Sequence, residues 1–229
     1  MKTIGLIGGM SWESTVPYYQ LINEYVKDAL GGLHSAKIAL YSVEFDEIER
    51  CQSENRWDDS AKILADAAAG LEKCGADFIL ICTNTMHKVF GQVQAAVNVP
   101  LLHIADATGE ALKAAGIRKV GLLGTRYTMQ QDFYKGRLAE AGFEVRVPAE
   151  EYIEELNRII FEELCVGVIR EESRQTFVKA IEDLKAQGCE GVILGCTEIG
   201  LLVRPEDSCL PTFDTTVIHA QAAAKKALE

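Results

Sequence analysis

Short apolar runs alternate with longer amphipathic stretches along the chain. The apolar runs are rich in Ile, Leu and Val, a pattern typical of strands buried on both faces. They predict strands at Ile4–Gly8, Lys37–Val43, Phe78–Cys82, Leu101–Ile104, Val120–Gly124, Glu144–Val147 and Gly191–Gly195. The amphipathic stretches predict helices at Ser14–Leu30, Ser60–Cys74, Met86–Ala96, Met129–Ala141, Glu150–Val166, Glu172–Gln187 and Thr215–Leu228. This alternation predicts an α/β fold, with short parallel sheets flanked by helices.

Two pairs of segments indicate an internal duplication. Ile4–Gly8 (IGLIG) resembles Val120–Gly124 (VGLLG), and Asp77–Asn84 (DFILICTN) resembles Glu190–Thr197 (EGVILGCT). The two pairs are separated by 116 and 113 residues, nearly the same offset. A shared offset is the signature of a repeated unit. The sequence therefore predicts two pseudo-symmetric α/β domains, with the active site in the cleft between them.

The domain boundaries are expected near Pro100 and Phe213. Residues 1–99 plus 213–229 would form the N-terminal domain, because the last helix is predicted to pack back on the first half. Residues 100–212 would form the second domain.

Composition and charge indicate which kinds of molecule the protein is expected to bind and which it is not. The chain has 229 residues, of which 48% are hydrophobic and 25% charged, as in a globular protein with a full core. Its formal net charge of -11 disfavours nucleic acid and anionic membranes, which select clustered Lys and Arg. No membrane span or export signal is recognisable, and seven scattered cysteines do not form a disulfide framework, so we expect a cytoplasmic protein.

Polar residues follow the strands of both repeats, at the sheet edge where α/β proteins bind ligands. Under the repeat alignment, Thr83 and Cys196 are equivalent and would approach one cleft from opposite sides. A strand-to-helix position predicts that Cys196 is acidified, because free backbone N–H groups and a helix dipole stabilise a thiolate. The same type of donor, from Asn84 and Thr85 in the first repeat and from Thr197 and Glu198 in the second, would hold a carboxylate.

Three motifs in order resemble the aspartate/glutamate racemase family, and the resemblance covers essentially the whole chain. They are GGMSWEST at 8–15, CTNTMHK at 82–88 and GCTE at 195–198. The branch that the chain resembles most is described as L-aspartate/glutamate-specific, or broad-specificity, amino-acid racemase. The resemblance implies a cofactor-independent isomerase that uses no pyridoxal phosphate. In such enzymes, one cysteine removes the α-proton and a second cysteine returns a proton to the opposite face.

The chain departs from this pattern at the first cysteine. Thr83 stands there, and its neighbour Cys82 is expected to face the core, because successive strand residues point to opposite faces. A threonine hydroxyl is a poorer base than a thiol, so two-way racemisation should be slow. The catalytic pair is therefore predicted to be Thr83 and Cys196.

The resemblance also gives roles to other residues. Gln52 would hydrogen-bond the side-chain carboxylate of the substrate, and Met10 would form part of the pocket wall. Cys165 stands about where relatives carry a lysine that meets the substrate, but we expect it to be a core cysteine on a helix. His87 is either an electrostatic neighbour of the site or a buried histidine with satisfied hydrogen bonds.

Three alternatives remain open from the sequence. A single productive cysteine also resembles arylmalonate decarboxylases and maleate isomerases, and two lobes around a cleft also describe solute receptors. The absence of an export signal and the position of Cys196 count against a receptor. No dinucleotide fingerprint or metal-ligand spacing is present, so no cofactor and no metal are expected. The expected partner is a small acidic amino acid, and a homodimer is the default assembly.

Overall fold

The computed structural model describes residues 1–229 and divides them between two units. The first unit contains 1–104 and 219–229, and the second contains 105–218. These boundaries lie five to six residues beyond the predicted ones. The shift has a physical cause, because the strand after Pro100 pairs with the first sheet and the strand at Phe213 pairs with the second.

The first unit is built on a parallel four-stranded sheet of order β2-β1-β3-β4. Its strands are β1 Thr3–Gly8, β2 Lys37–Ser42, β3 Phe78–Ile81 and β4 Leu101–Leu102. Its helices are α1 Trp12–Leu30, α2 Phe45–Ser53, α3 Trp57–Lys73 and α4 Phe90–Ala95, and a 3-10 turn at Thr85–Val89 precedes α4. The helix α5 Ile104–Ala114 begins at the unit boundary.

The second unit repeats this arrangement with a parallel sheet of order β6-β5-β7-β8. Its strands are β5 Lys119–Gly124, β6 Glu144–Arg146, β7 Gly191–Gly195 and β8 Thr212–Asp214. Its remaining helices are α6 Arg126–Gln130, α7 Asp132–Glu140, α8 Glu150–Glu162, α9 Glu171–Ala186 and α10 Ile199–Leu202. Helix α11, Thr215–Leu228, closes the chain and contains the second boundary between the units. No helix is both long and apolar enough to serve as a membrane span.

The registers of the two sheets reproduce the sequence duplication. On the first sheet Ile4 lies opposite Phe78, and on the second sheet Val120 lies opposite Gly191. These pairs are related by the same offsets of 116 and 113 residues that the sequence shows. Thr83 lies five residues after Phe78, and Cys196 lies five residues after Gly191, so Thr83 and Cys196 are equivalent positions. The repeat alignment is therefore confirmed by the pairing of the strands.

The central strands β1 and β3 of the first sheet are buried on both faces, which accounts for their continuous apolar sequences, whereas the edge strand β2, predicted as a buried strand, is largely exposed. On one face, Ile4 and Leu6 pack in a cluster with Tyr18 of α1 and with alanines of α11. The C-terminal part of α11 therefore belongs to the first unit, as the sequence predicted. On the other face, Ile7, Ile79 and Ile81 pack against α3 and α4.

Several predicted elements differ from the observed ones. The predicted helix Met86–Ala96 begins as a 3-10 turn, and the predicted helix Met129–Ala141 is broken at Gln131, whose backbone is extended. Helix α2 and strand β8 were not predicted, because each is short and lacks a long periodic pattern. Glu44 begins α2 by accepting hydrogen bonds from the backbone N–H groups of Asp46 and Glu47.

Candidate active site

The first unit gathers its predicted site residues at the carboxyl ends of β1 and β3. Met10 lies just beyond β1 and is buried, and Asn84 and Thr85 lie buried just beyond β3. Thr83, between β3 and these two residues, keeps part of its surface exposed. This edge of the sheet is therefore polar and partly accessible at the position of Thr83.

Two glycines bring the backbone of this edge close to neighbouring elements. Gly9 has φ +89°, and a Cβ there would lie 2.3 Å from the carbonyl oxygen of Val43. A Cβ on Gly8 would lie 2.3 Å from Cγ2 of Thr15. Only glycine fits either position without displacing backbone or a buried side chain. The glycine pair thus packs the loop after β1 against α1 and the end of β2.

His87 holds the backbone of Thr83. Its Nε2 accepts a hydrogen bond from the backbone N–H of Ile104 at 3.1 Å, so Nδ1 carries the ring hydrogen and donates it to the carbonyl of Thr83 at 2.8 Å. The ring is buried and stacks on Phe90. Of the two roles considered for His87, the structure shows a neutral, hydrogen-bonded histidine that fixes the turn carrying Thr83.

Gln52 reaches the same region from α2. Its side chain is buried, and its Nε2 lies 3.1 Å from Sδ of Met86 in the 3-10 turn after β3. Within the first unit, the structure therefore brings Gln52 to the segment that follows Thr83.

The second unit builds a thiol–carboxylate cluster at the end of β7. Sγ of Cys196 donates to Oε2 of Glu198 at 3.0 Å, and the hydroxyl of Thr197 donates to the same oxygen at 2.8 Å. Sγ of Cys165 lies 3.6 Å from the other oxygen, Oε1. Glu198 is 2% exposed and Cys196 is 9% exposed. Cys196, Thr197 and the partly exposed Cys165 thus surround a single buried carboxylate, that of Glu198.

The prediction of an acidified Cys196 was wrong. Burial, together with the neighbouring Glu198 carboxylate, raises the pKa of the Cys196 thiol well above its usual value. The segment after β7 is also not a full helix, because α10 has only four residues and its dipole is correspondingly small. In the resting protein Cys196 is therefore a thiol that donates a hydrogen bond.

Cys165, predicted as a core residue on a helix, packs against the core of the second unit, but not from a regular helix. It lies in a 3-10 turn at Leu164–Val166 and is partly exposed. This turn is anchored by Glu163, whose buried carboxylate accepts from the hydroxyl of Ser173 at 2.5 Å and pairs with Arg158 at 3.1 Å. The anchored turn places the Cys165 thiol against Glu198.

Cys82, the neighbour of Thr83, faces the core as predicted. It packs in the cluster with Ile4 and Leu6, and burial raises the pKa of its thiol. The sequence predicted for Glu198 only a donor to a substrate carboxylate, and it gave no role to the Glu198 side chain. Its spacing, two residues after Cys196 at the end of a strand, was the signal that could have found it. His219 was missed altogether, because its partners Tyr18 and Leu102 lie far away in the sequence.

Comparisons with known proteins agree with the geometry. A family model described as Asp/Glu/hydantoin racemase matches residues 7–223. The broad specificity amino-acid racemase RacX of Bacillus subtilis (strain 168) is 25% identical over 237 residues, which cover 96% of this chain and 95% of that protein.

Solved structures extend the comparison to the fold. The crystal structure described as an Asp/Glu racemase from Yersinia pestis is 57% identical, with a TM-score of 0.92 over all of both chains. The structure of an aspartate racemase homologue from Pyrococcus horikoshii OT3 is 42% identical, with a TM-score of 0.86 over all of both chains. An arylmalonate decarboxylase structure, at 15% identity and a TM-score of 0.55 over 99% of this chain and 93% of that one, shares the fold alone. Since the family model spans most of the residues, the chain belongs to the Asp/Glu/hydantoin racemase family.

Proposed function

We propose that this protein racemises a small acidic amino acid, aspartate or glutamate, by moving a proton off and onto the α-carbon. One observation carries the proposal: Thr83 and Cys196 occupy equivalent positions at the carboxyl ends of matching strands. Two proton carriers related by a duplication are what a reaction with mirror-image substrate and product requires. The names of the relatives support the substrate class.

In the proposed reaction, Cys196 serves one face of the α-carbon and Thr83 serves the other. When the sulfur takes the α-proton, the Cα–H bond breaks, an S–H bond forms, and the electron pair is delocalised into the α-carboxylate. A proton from Thr83, directly or through water, then gives the inverted product. Positioned acid–base groups of this kind typically contribute about 10²–10⁴-fold each.

Binding is assigned to residues around these two groups. Asn84, Thr85 and Thr197 would hold the substrate carboxylates through backbone N–H donors, since the hydroxyl of Thr197 already donates to Glu198. Gln52 would bind the side-chain carboxylate, and Met10 would form part of the pocket wall. No cofactor or metal enters the proposed reaction, because every proton transfer is assigned to a side chain or water.

A single-thiol lyase or isomerase is the second candidate function. The observation in its favour is Thr83, a hydroxyl where a two-thiol racemase needs its second cysteine. A decarboxylase of this type would release carbon dioxide from a malonate and use one thiol to protonate the resulting enolate. The two functions differ in substrate, because racemisation keeps an α-amino acid intact.

The test is proton NMR of amino acids incubated with the protein in deuterium oxide. We expect the α-proton signal of aspartate or glutamate to disappear while the side-chain signals and the carbon skeleton remain, and chiral chromatography should detect the mirror image. Cys196→Ala should abolish both the loss of the α-proton signal and the formation of the mirror image. Cys74→Ser, which changes an exposed thiol, should abolish neither. Unchanged spectra across all amino acids, with turnover of a malonate, would establish the lyase instead.

We also propose a homodimer that forms through one apolar surface of the first unit. Trp12, Val16 and Tyr19 are 65%, 55% and 58% exposed on one side of α1, and Leu40 is 49% exposed on the edge strand β2. A Cβ on Gly8 would touch both Leu40 and Thr15, so the two elements adjoin there. These side chains expose on the order of 400 Å², a large part of the apolar area in a standard interface of about 800 Å² per partner. A second copy would cover it with the same patch.

The proposed compartment is the cytoplasm. The seven cysteines are all thiols in the structure, which is the usual state in a reducing compartment.

A further inference from the structure

Glu198 is folded back against Cys196 by the turn that ends β7. The backbone N–H of Ile199 donates to the carbonyl of Cys196 at 3.0 Å, and the N–H of Leu201 donates to the carbonyl of Glu198 at 3.0 Å. This tight turn returns the Glu198 side chain to within 3.0 Å of Sγ of Cys196. Two backbone hydrogen bonds thus hold the turn in which this contact is made.

The resting state of Cys196 creates a difficulty for the proposed reaction. A thiol that still carries its proton cannot accept another from the substrate. Burial and the adjacent carboxylate both oppose loss of that proton as a free ion, since they raise the pKa of the thiol. Direct transfer to the carboxylate avoids this cost, because the negative charge then moves from oxygen to sulfur within one buried group.

We propose that Glu198 is the proton relay of Cys196, taking the thiol proton before substrate deprotonation and holding it during the reaction. This inference rests on the proposed racemase function. The S–H bond of Cys196 breaks, an O–H bond forms on Glu198, and the electron pair stays on sulfur. The sulfur then takes the α-proton. After Thr83 protonates the other face, solvent carries the Glu198 proton back to the Thr83 oxygen, so the cycle closes without an added reactant.

The other partners of Glu198 orient its carboxylate for this transfer. Cys165 contacts Oε1 at 3.6 Å, which leaves Oε2 to Cys196 and Thr197. A carboxylate is needed for the relay, since an amide of the same shape has no basic oxygen. Glu198→Gln therefore separates the shape of the residue from its ability to take a proton.

The test measures two properties of each variant. A relay role and a merely structural role of Glu198 predict different changes in these two properties. The first is the rate of α-proton exchange into aspartate or glutamate in deuterium oxide. The second is the rate at which iodoacetamide alkylates Cys196, followed by peptide mass spectrometry. We expect Glu198→Gln to lower kcat for exchange by about 10²–10⁴-fold with KM little changed. Alkylation should be as fast as in the natural protein or faster, because a neighbouring negative charge is removed.

Glu198→Asp and Glu172→Gln complete the set. The aspartate keeps a carboxylate at a longer distance, so exchange should fall between that of the natural protein and that of Glu198→Gln. Glu172 is exposed on α9, and its conversion to Gln should leave exchange unchanged. Exchange at the natural rate in Glu198→Gln would overturn the relay, as would equally slow exchange in the Asp and Gln variants. A natural protein that exchanges no amino acid would instead refute the proposed function, and the relay with it.

Discussion

At the residue scale, the two proposed proton carriers differ in chemistry and in setting. Cys196 is a buried thiol that is hydrogen-bonded to a carboxylate, whereas Thr83 is a partly exposed alcohol whose backbone is held by His87. A hydroxyl is far less acidic than a thiol, so proton removal by Thr83 should limit the overall rate. The duplication thus supplies equivalent positions but unequal groups.

Replacing Thr83 by cysteine should relieve this limit. Thr83→Cys is expected to racemise faster, by up to the 10²–10⁴-fold typical of a placed acid–base group. Deuterium should then enter the two enantiomers at more similar rates, whereas in the natural protein it should enter the Cys196-facing enantiomer much faster. Polarimetry and NMR exchange measure the two effects. If Thr83→Cys and Thr83→Val both match the natural protein, Thr83 is not the second proton carrier and the single-thiol lyase gains support.

At the element scale, the loop after β1 depends on one backbone conformation. Gly9→Ala places a Cβ 2.3 Å from the carbonyl oxygen of Val43 at φ +89°. We expect the free energy of unfolding to fall by about 1–3 kcal/mol or more, because the backbone is strained and the loop must move. Urea unfolding measures the change.

The matched control is Gly91→Ala in α4. There a Cβ meets nothing within 4 Å, and Gly91 is exposed within a helix. Alanine should stabilise this helix by about 0.5–1 kcal/mol. Equal effects of the two substitutions would show that the loop after β1 does not need its glycine.

His219 on α11 should make the stability of the protein depend on pH. Its Nδ1 accepts from the hydroxyl of Tyr18 and its Nε2 donates to the carbonyl of Leu102, and burial lowers its pKa to about 4 from an ordinary value of 6.5. As pH falls, His219 therefore takes up a proton in the unfolded chain at a higher pH than in the folded protein. Stability should decrease from pH 6.5 towards pH 4, by about 2 kcal/mol at pH 5 from this group.

The comparison that isolates this contribution is His219→Gln. Urea unfolding of both proteins at pH 7 and pH 5 should show a smaller pH-dependent loss in the variant, since glutamine does not titrate. An identical loss in both proteins would assign the pH dependence to other groups.

At the scale of the whole molecule, the apolar surface on α1 and β2 predicts the assembly state. Light scattering should give twice the chain mass of 25.1 kDa. Trp12→Ser with Tyr19→Ser should dissociate the dimer, because aromatic side chains at the centre of interfaces often contribute 2 kcal/mol or more, about 30-fold in Kd. Leu33→Ser is the control, since Leu33 is fully exposed outside the patch. A monomer at all concentrations would contradict the assignment.

The sequence by itself determined the alternation of strands and helices, the duplication, and the equivalence of Thr83 and Cys196. These properties depend on local periodicity and on segments that can be aligned with each other. Short stretches of consecutive residues are therefore enough to predict them. Even the inward position of Cys82 followed from the two-residue period of a strand.

Only the tertiary structure decided the chemical state of the candidate site. The Cys196 thiol is protonated because it is buried and lies beside Glu198, and Cys165 joins them from a turn that precedes α9. His219 is neutral because α11 returns to Tyr18 and Leu102 of the first unit. The pKa of a group depends on burial and on charges within a few ångströms, and residues distant in the sequence supply both. A motif can therefore identify a candidate catalytic thiol, whereas the protonation state of that thiol depends on the tertiary structure.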